Sequence, residues 1–255
     1  MRGAAEIVAH CRVKAPTPVH MDSLIQAFEK AIVLILNFDS ELLGIIWLSL
    51  KVSGAALIIA TMAGLPLGVL LGLRKVPFKG IVVSLLNTFM GLPPVVVGLF
   101  VYLLLSRSGP LGFLALLYTP SAMVIAQVIL AFPIVASLSH SAIVSVDPVI
   151  RQASITLGAT PVQVSRAVVK EARYGIMSAL IAAFGRVMAE VGAILIVGGN
   201  IAGYTRVMTT TIALETDKGN FELALSLGII LLAISLAINS VVHNIQKKGM
   251  VGTGR

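Results

Sequence analysis

Charge is what this sequence has least of. Only 12% of its 255 residues are Asp, Glu, Lys or Arg, where a soluble domain carries about 25%. So few charges cannot cover a water-facing surface of this size, and a bilayer must replace water over much of it. Aromatics are also scarce, at 5%. The apolar excess is therefore aliphatic, the composition of spanning helices. Cysteine occurs once, at Cys11, which excludes an intrachain disulfide and a thiolate metal cluster.

Enzyme signatures are missing as well. There is no Gly-x-x-x-x-Gly-Lys-Ser/Thr phosphate loop, no His-Glu-x-x-His zinc site and no serine nucleophile elbow. The sequence thus offers no catalytic residue, no metal site and no cofactor site of its own. Any energy from ATP has to enter through another subunit. The net charge of +8 would favour nucleic acid on a soluble protein. Here the basic residues fall in short runs between apolar spans, which is a topology signal.

What is present is a series of long apolar runs. A spanning helix needs roughly 20 such residues. The sequence predicts an all-α integral membrane protein with spans at about 42–73, 81–106, 120–146, 174–199 and 221–245. Leu111–Thr119 reads as a loop or a short re-entrant piece before the third span. Residues 21–40 are too short and too charged to span, and read as an interfacial helix. Residues 246–255 form a tail. Loop charges give the direction. Arg74, Lys75 and Lys79 follow the first span, Arg151, Arg166, Lys170 and Arg173 the third, and Lys247, Lys248 and Arg255 end the chain. The other loops hold Arg107, then Arg206 and Lys218 offset by Glu215 and Asp217. The N-terminal segment is therefore expected outside and the tail in the cytoplasm, in a plasma membrane.

Three features stand out inside the spans. Gly64, Gly68 and Gly72 form overlapping GxxxG units, which let a neighbouring helix approach closely. Pro93 and Pro94 interrupt the second span, either as a plain kink or as freed carbonyls beside a watery path. Arg186 and Glu190 are spaced i,i+4 in the fourth span, on one helical face. They read as a structural ion pair between helices or subunits, or as part of a path or gate for an anion.

The loop 147–173 has more order than a linker needs. Asp147-Pro148 and Thr160-Pro161 each read as an N-cap followed by a first helical position. Gly158 reads as the C-terminal stop of the first helix. Two short helices with a Gly-Ala-Thr elbow would present a small rigid surface to a cytoplasmic partner.

At this loop the sequence resembles the permease subunits of type I ABC importers. Their signature is Glu-Ala-Ala, three residues, Gly, nine residues, Ile-x-Leu-Pro. Gln152-Ala153-Ser154, Gly158 and Val168-Val169-Lys170-Glu171 stand at those places. Ala153 and Gly158 match. Gln152 replaces the acid, and Lys170-Glu171 replaces Leu-Pro. Met90–Gly98, Ser106–Gly112 and Glu190–Thr210 look like the tungstate-import branch, which molybdate permeases approach more loosely. The resemblance implies a type I permease fold over about 42–245 and a homodimer with the path on its two-fold axis. It also implies a cytoplasmic ATPase pair holding ATP and Mg, and an oxyanion-binding protein on the other side. Gln152, Ala153, Ser154, Gly158, Ala159 and Thr160 would then be the ATPase-coupling element. Molybdate or sulfate are the alternative cargoes. An ATP-independent secondary transporter is a further alternative, but it leaves the structured loop unexplained.

The first 20 residues carry Arg2, His10, Arg12, Lys14 and His20 and no apolar core, so they are not a secretory signal. Met21-Asp22-Ser23-Leu24 reads as the natural start, with 1–20 a disordered upstream extension. N-terminal sequencing of the native protein is expected to begin at Met21 or later. Recovery of peptides from 2–20 would contradict this.

Overall fold

The computed structural model describes residue 33, residues 40–74 and residues 76–251, with the backbone alone at 242, 243 and 245–251. The expected extension and nearly all of the expected interfacial helix lie outside the described residues. Within them the chain is helical, in the order α1 Ser40–Leu73, α2 Lys79–Met90, α3 Pro94–Leu105, α4 Pro120–Val144, α5 Pro148–Thr156, α6 Pro161–Met188, α7 Gly192–Gly198, α8 Met208–Asp217 and α9 Phe221–Val251. A single 3-10 turn, Gly112–Leu114, lies between α3 and α4.

Three of these helices are each long and apolar enough to cross a bilayer: α1, α4 and the Phe221–Val241 part of α9. The pairs α2–α3 and α6–α7 reach span length only together, and each is bent. If each pair is one crossing, the chain has five spans.

The bends correct two expectations. The run 81–106 is not one kinked helix. It is two 12-residue helices that meet at 100°. Each is about 18 Å long, too short to cross alone. The reason is that Pro93 is extended and Pro94 starts a new helix at its first position, where a missing N–H costs nothing. The fourth span differs in the opposite sense. The second loop helix does not stop near Glu171. It runs unbroken from Pro161 to Met188, then breaks by 56° before α7. No proline or glycine stands between 162 and 174 to end it.

α4 is the hub. It packs on α1, α2, α3, α6 and α7, and Met123, Ala126, Gln127, Ala131, Val135, Ala136 and Ser139 on it are buried. α1 meets it with a small-residue stripe, Ala56, Ala60, Gly64 and Gly68, all buried. Large side chains on the other faces of α1, such as Trp47, Ile58 and Met62, are exposed. That is the inversion a lipid solvent permits, with small residues inside and large apolar ones outside. The approach leaves no room for a side chain. A Cβ at Gly68 would stand 2.5 Å from the Ala136 carbonyl oxygen and 2.9 Å from Ser139 Cβ. At Gly64 it would stand 3.1 Å from the Phe132 carbonyl oxygen, and at Gly72 it would collide with Ile143.

On the other side of the fold, α8 is pinned to the start of α9 by one carboxylate. Lys218 Nζ donates to Glu215 Oε1 at 2.8 Å and Asn220 Nδ2 donates to Oε2 at 3.0 Å. The Lys218 hydrogen bond holds the Glu215 carboxyl below its ordinary range, against an opposing effect of burial. A depressed pKa means stability present above the unfolded value and lost as pH falls through the folded one. Protonation of Glu215 in acid therefore weakens this clamp.

Gly68→Ala is expected to destabilise the chain by about 1–3 kcal/mol, because backbone on α4 has to move. Gly54 is also helical, but nothing lies within 4 Å of a Cβ there. Gly54→Ala should leave stability unchanged or slightly raised. Thermal unfolding of the purified protein in detergent compares the two.

Candidate coupling loop and membrane path

The loop between α4 and α6 is built by caps. Asp147 Oδ1 accepts the Val149 N–H at 2.9 Å, and Pro148 opens α5. At the far end Gly158 adopts φ 77. Its N–H bonds the Ile155 carbonyl at 3.0 Å, and the Ala159 N–H bonds the Ser154 carbonyl at 3.0 Å. This pair of bonds is a Schellman stop, which needs a left-handed residue and so favours glycine. Thr160 then caps α6 reciprocally. The Gln163 N–H bonds Thr160 Oγ1 at 3.4 Å, and the Thr160 N–H bonds Gln163 Oε1 at 2.7 Å. Two helices are thereby held at one elbow with their termini satisfied.

No residue of α5 is buried. Gln152, Ala153, Gly158 and Thr160 are exposed, and Ser154 and Ala159 are half-buried. The Ser154 hydroxyl is turned inward and donates to the Ile150 carbonyl at 2.8 Å. Around them Val149, Ile155, Val162 and, at 87% exposure, Leu157 stand free. Four exposed aliphatic side chains on a capped, rigid loop mark a contact surface. Because α6 is continuous, this surface and the break at Ala189–Val191 are joined by one rod.

That break is where Glu190 sits. It is 4% exposed. Its carboxylate Oε1 accepts the Ala193 N–H at 3.1 Å and so caps the first turn of α7. Its carbonyl accepts the Thr209 hydroxyl at 2.9 Å, tying the break to α8. The expected ion pair with Arg186 is not formed. α6 ends at Met188, so the i,i+4 geometry no longer holds, and the carboxylate turns toward α7. Arg186 is exposed on α6 instead.

The other break is closed by turn bonds. The Gly91 N–H bonds the Thr88 carbonyl at 3.1 Å and the Leu92 N–H bonds the Phe89 carbonyl at 3.2 Å. Of the two carbonyls that Pro93 and Pro94 deprive of a helical donor, Phe89 and Met90, the turn thus pairs Phe89. The two prolines aim α3 so that Gly98 lies against α7, where a Cβ would stand 2.7 Å from Ala193 Cα. The two breaks are thus packed on each other.

Three structural features escaped the sequence reading. The Ser137 hydroxyl donates to the Asn87 side-chain oxygen, linking α4 to α2. Thr205 is fully buried and closes the 199–207 loop, donating to the Gly198 carbonyl at 2.6 Å and accepting the Ile201 N–H at 3.0 Å. The third is a stripe on α6. Ser178, Ala182, Gly185 and, just past its end, Ala189 are all exposed, at steps of four, three and four along one face. The spacing is visible in the sequence, but which face of the helix is uncovered is not. Exposed residues on the other spans include large ones that suit lipid, such as Leu99, Phe100, Leu103, Leu232 and Leu236, and small ones such as Ala63, Ala233 and Ala237. The α6 stripe differs in having the exposed Arg186 beside it.

Glu190→Ala is expected to cost about 1–3 kcal/mol, because the Ala193 N–H is left unsatisfied. Glu190→Gln keeps an acceptor oxygen and should retain most of that stability. Thermal unfolding of both variants checks this. Equal losses would mean that the charge matters and the cap does not.

Comparison with known proteins follows the same lines. Residues 64–249 match the model of the family described as binding-protein-dependent transport system inner membrane component. The chain is 46% identical over 221 residues to a probable anion ABC transporter permease protein of Haloferax volcanii, covering 84% of this chain and 95% of that one. It is 40% identical over 228 residues to the tungstate uptake system permease protein TupB of Peptoclostridium acidaminophilum, covering 89% and 100%. A chain of a bacterial ABC transporter involved in the import of the acidic polysaccharide alginate superposes with a TM-score of 0.71 over 96% of this chain and 93% of that one. At 17% identity that likeness shows the fold alone. The capped loop, the bent spans and the family match agree, and the chain belongs to the binding-protein-dependent transport system inner membrane components, with the fold of a type I ABC importer permease.

Proposed function

We propose that the chain is the permease of an ATP-driven importer that carries an oxyanion, tungstate, across the plasma membrane. The observation that carries the mechanism is the unbroken α6. It begins at the coupling elbow and ends at the break between Met188 and Gly192. A cytoplasmic ATPase pair that holds ATP and Mg would grip α5 through Val149, Ile155 and Leu157. Closure of that pair would swing α6 as a lever and shift α7 and α8, which Glu190 and Thr209 join. Only an element with two arrangements can transmit such a change, and the break would be that element. The chain itself supplies no cofactor.

The α6 stripe supports a homodimer. An exposed arginine in a spanning helix does not face lipid. A second copy, related by a two-fold axis, would enclose Ser178, Ala182, Gly185 and Arg186 in a shared path. Two guanidiniums beside that path would give it the positive potential a dianion needs. Tungstate is the cargo assigned to a relative that this chain matches over its whole length. A binding protein outside would select it, with the N-terminal segment outside and the tail within.

Two outcomes test this reading. Gly158→Val has a β-branched residue at φ 77, where only glycine is at ease. The variant should assemble and hydrolyse ATP, but with hydrolysis no longer linked to uptake; normal uptake would defeat the coupling assignment. In the reconstituted complex with its binding protein, tungstate should stimulate ATP hydrolysis at lower concentration than molybdate or sulfate. Stimulation by sulfate alone would refute the cargo.

A further inference from the structure

The transport reading leaves one fully buried polar side chain without a use. Gln127 sits on α4 with no exposed surface. Its Nε2 donates to the Val187 carbonyl at 3.3 Å, in the last turn of α6. Its Oε1 is sealed from solvent, and among the described residues nothing donates to it. The amide cannot simply be turned over, because Oε1 would then face the Val187 carbonyl oxygen. A buried acceptor is rarely left bare.

Gln127 lines a cavity of about 10 Å³ beside the end of α6, with Val187 and Met188 in its wall. Ser49 and Ser53 of α1 and Thr209 of α8 line it too, and all three are more than nine-tenths buried. Two of these hydroxyls have already spent their protons. Ser49 donates to the Ile45 carbonyl at 2.7 Å, and Thr209 donates to the Glu190 carbonyl at 2.9 Å. Ser49 Oγ also accepts the Met208 N–H at 2.9 Å. The cavity therefore offers acceptors at Gln127 and Thr209, and a single remaining hydroxyl proton at Ser53.

That balance and the size define the occupant. It has to bring protons, carry no charge and fit the space of one water. A cation would lack a counter-charge, since no acid lines the cavity. An oxyanion is larger than a water and would meet acceptors. We propose that this cavity binds one ordered water, which donates to Gln127 Oε1 and Thr209 Oγ1 and accepts from the Ser53 hydroxyl. A buried water typically makes about three such bonds. It would complete a polar joint of α1, α4 and α8 against the last turn of α6. The inference rests on the helix packing, so failure of the cargo or of the coupling assignment would leave it standing.

The test is a density map of the purified complex at a resolution that shows ordered water, for wild type and two variants. Wild type should show one isolated peak within hydrogen-bond distance of Gln127 Oε1. Ser53→Ala enlarges the space and keeps the acceptor, so the peak should remain. Gln127→Met removes the acceptor at nearly constant length, and the peak should vanish. An empty cavity in wild type would overturn the proposal. So would a Ser53 hydroxyl bonded directly to Oε1, or a peak that persists in Gln127→Met. A peak ringed by oxygens at metal-ligand distances would overturn it in favour of an ion. If Gln127→Met does not assemble, the wild-type and Ser53→Ala maps still decide the matter.

Discussion

The contact between α1 and α4 is closer than side chains allow, and the rest of the structure is arranged around it. In lipid there is no hydrophobic drive to bring helices together, so packing has to come from backbone reaching backbone. Gly64 and Gly68 provide that reach against Phe132, Ala136 and Ser139. With α1 seated, the remaining sides of α4 are free to carry α2, α3, α6 and α7. The hub is thus held by its smallest residues, and the large aliphatic side chains are left for the bilayer.

Around that rigid pair the chain breaks helix twice, at Gly91–Pro93 and at Ala189–Val191. Broken backbone at membrane depth persists only where its polar groups are satisfied within the protein. The two breaks are bonded differently. The first uses turn bonds to the Thr88 and Phe89 carbonyls. The second uses a carboxylate, with Glu190 capping α7 and Thr209 tethering the break to α8. The close pass of Gly98 over Ala193 then makes the two breaks one unit. One rod, α6, runs from the exposed elbow to this unit.

Much of this was legible in the sequence, because its causes are local or compositional. Apolar runs located the spans, Asp147-Pro148 and Thr160-Pro161 located the loop helices, and glycine spacing located the α1 face. What was missed depends on a neighbour. The i,i+4 spacing of Arg186 and Glu190 is real, but a helix that ends at Met188 hands the acid to the next helix instead. The proline pair was read as a plain kink or as freed carbonyls beside a watery path, in either case within one span, although extended backbone at Pro93 makes it a restart. The continuity of α6 was hidden because charge at Arg166, Lys170, Glu171 and Arg173 resembles a boundary. A helix leaving the membrane carries that charge without ending.

The central claim is that the small-residue face of α6 looks onto a water-filled path shared with a second copy, while the far face of α1 looks onto lipid. Single cysteines at 178, 182 and 185, and at 58 and 62, introduced with Cys11→Ser as background, can be challenged with a membrane-impermeant thiol reagent in the assembled complex. Ser178→Cys, Ala182→Cys and Gly185→Cys should react, with rates that change when nucleotide binds. Ile58→Cys and Met62→Cys should stay unlabelled. Protection of all three α6 positions in every nucleotide state, with labelling at 58 or 62, would contradict the account.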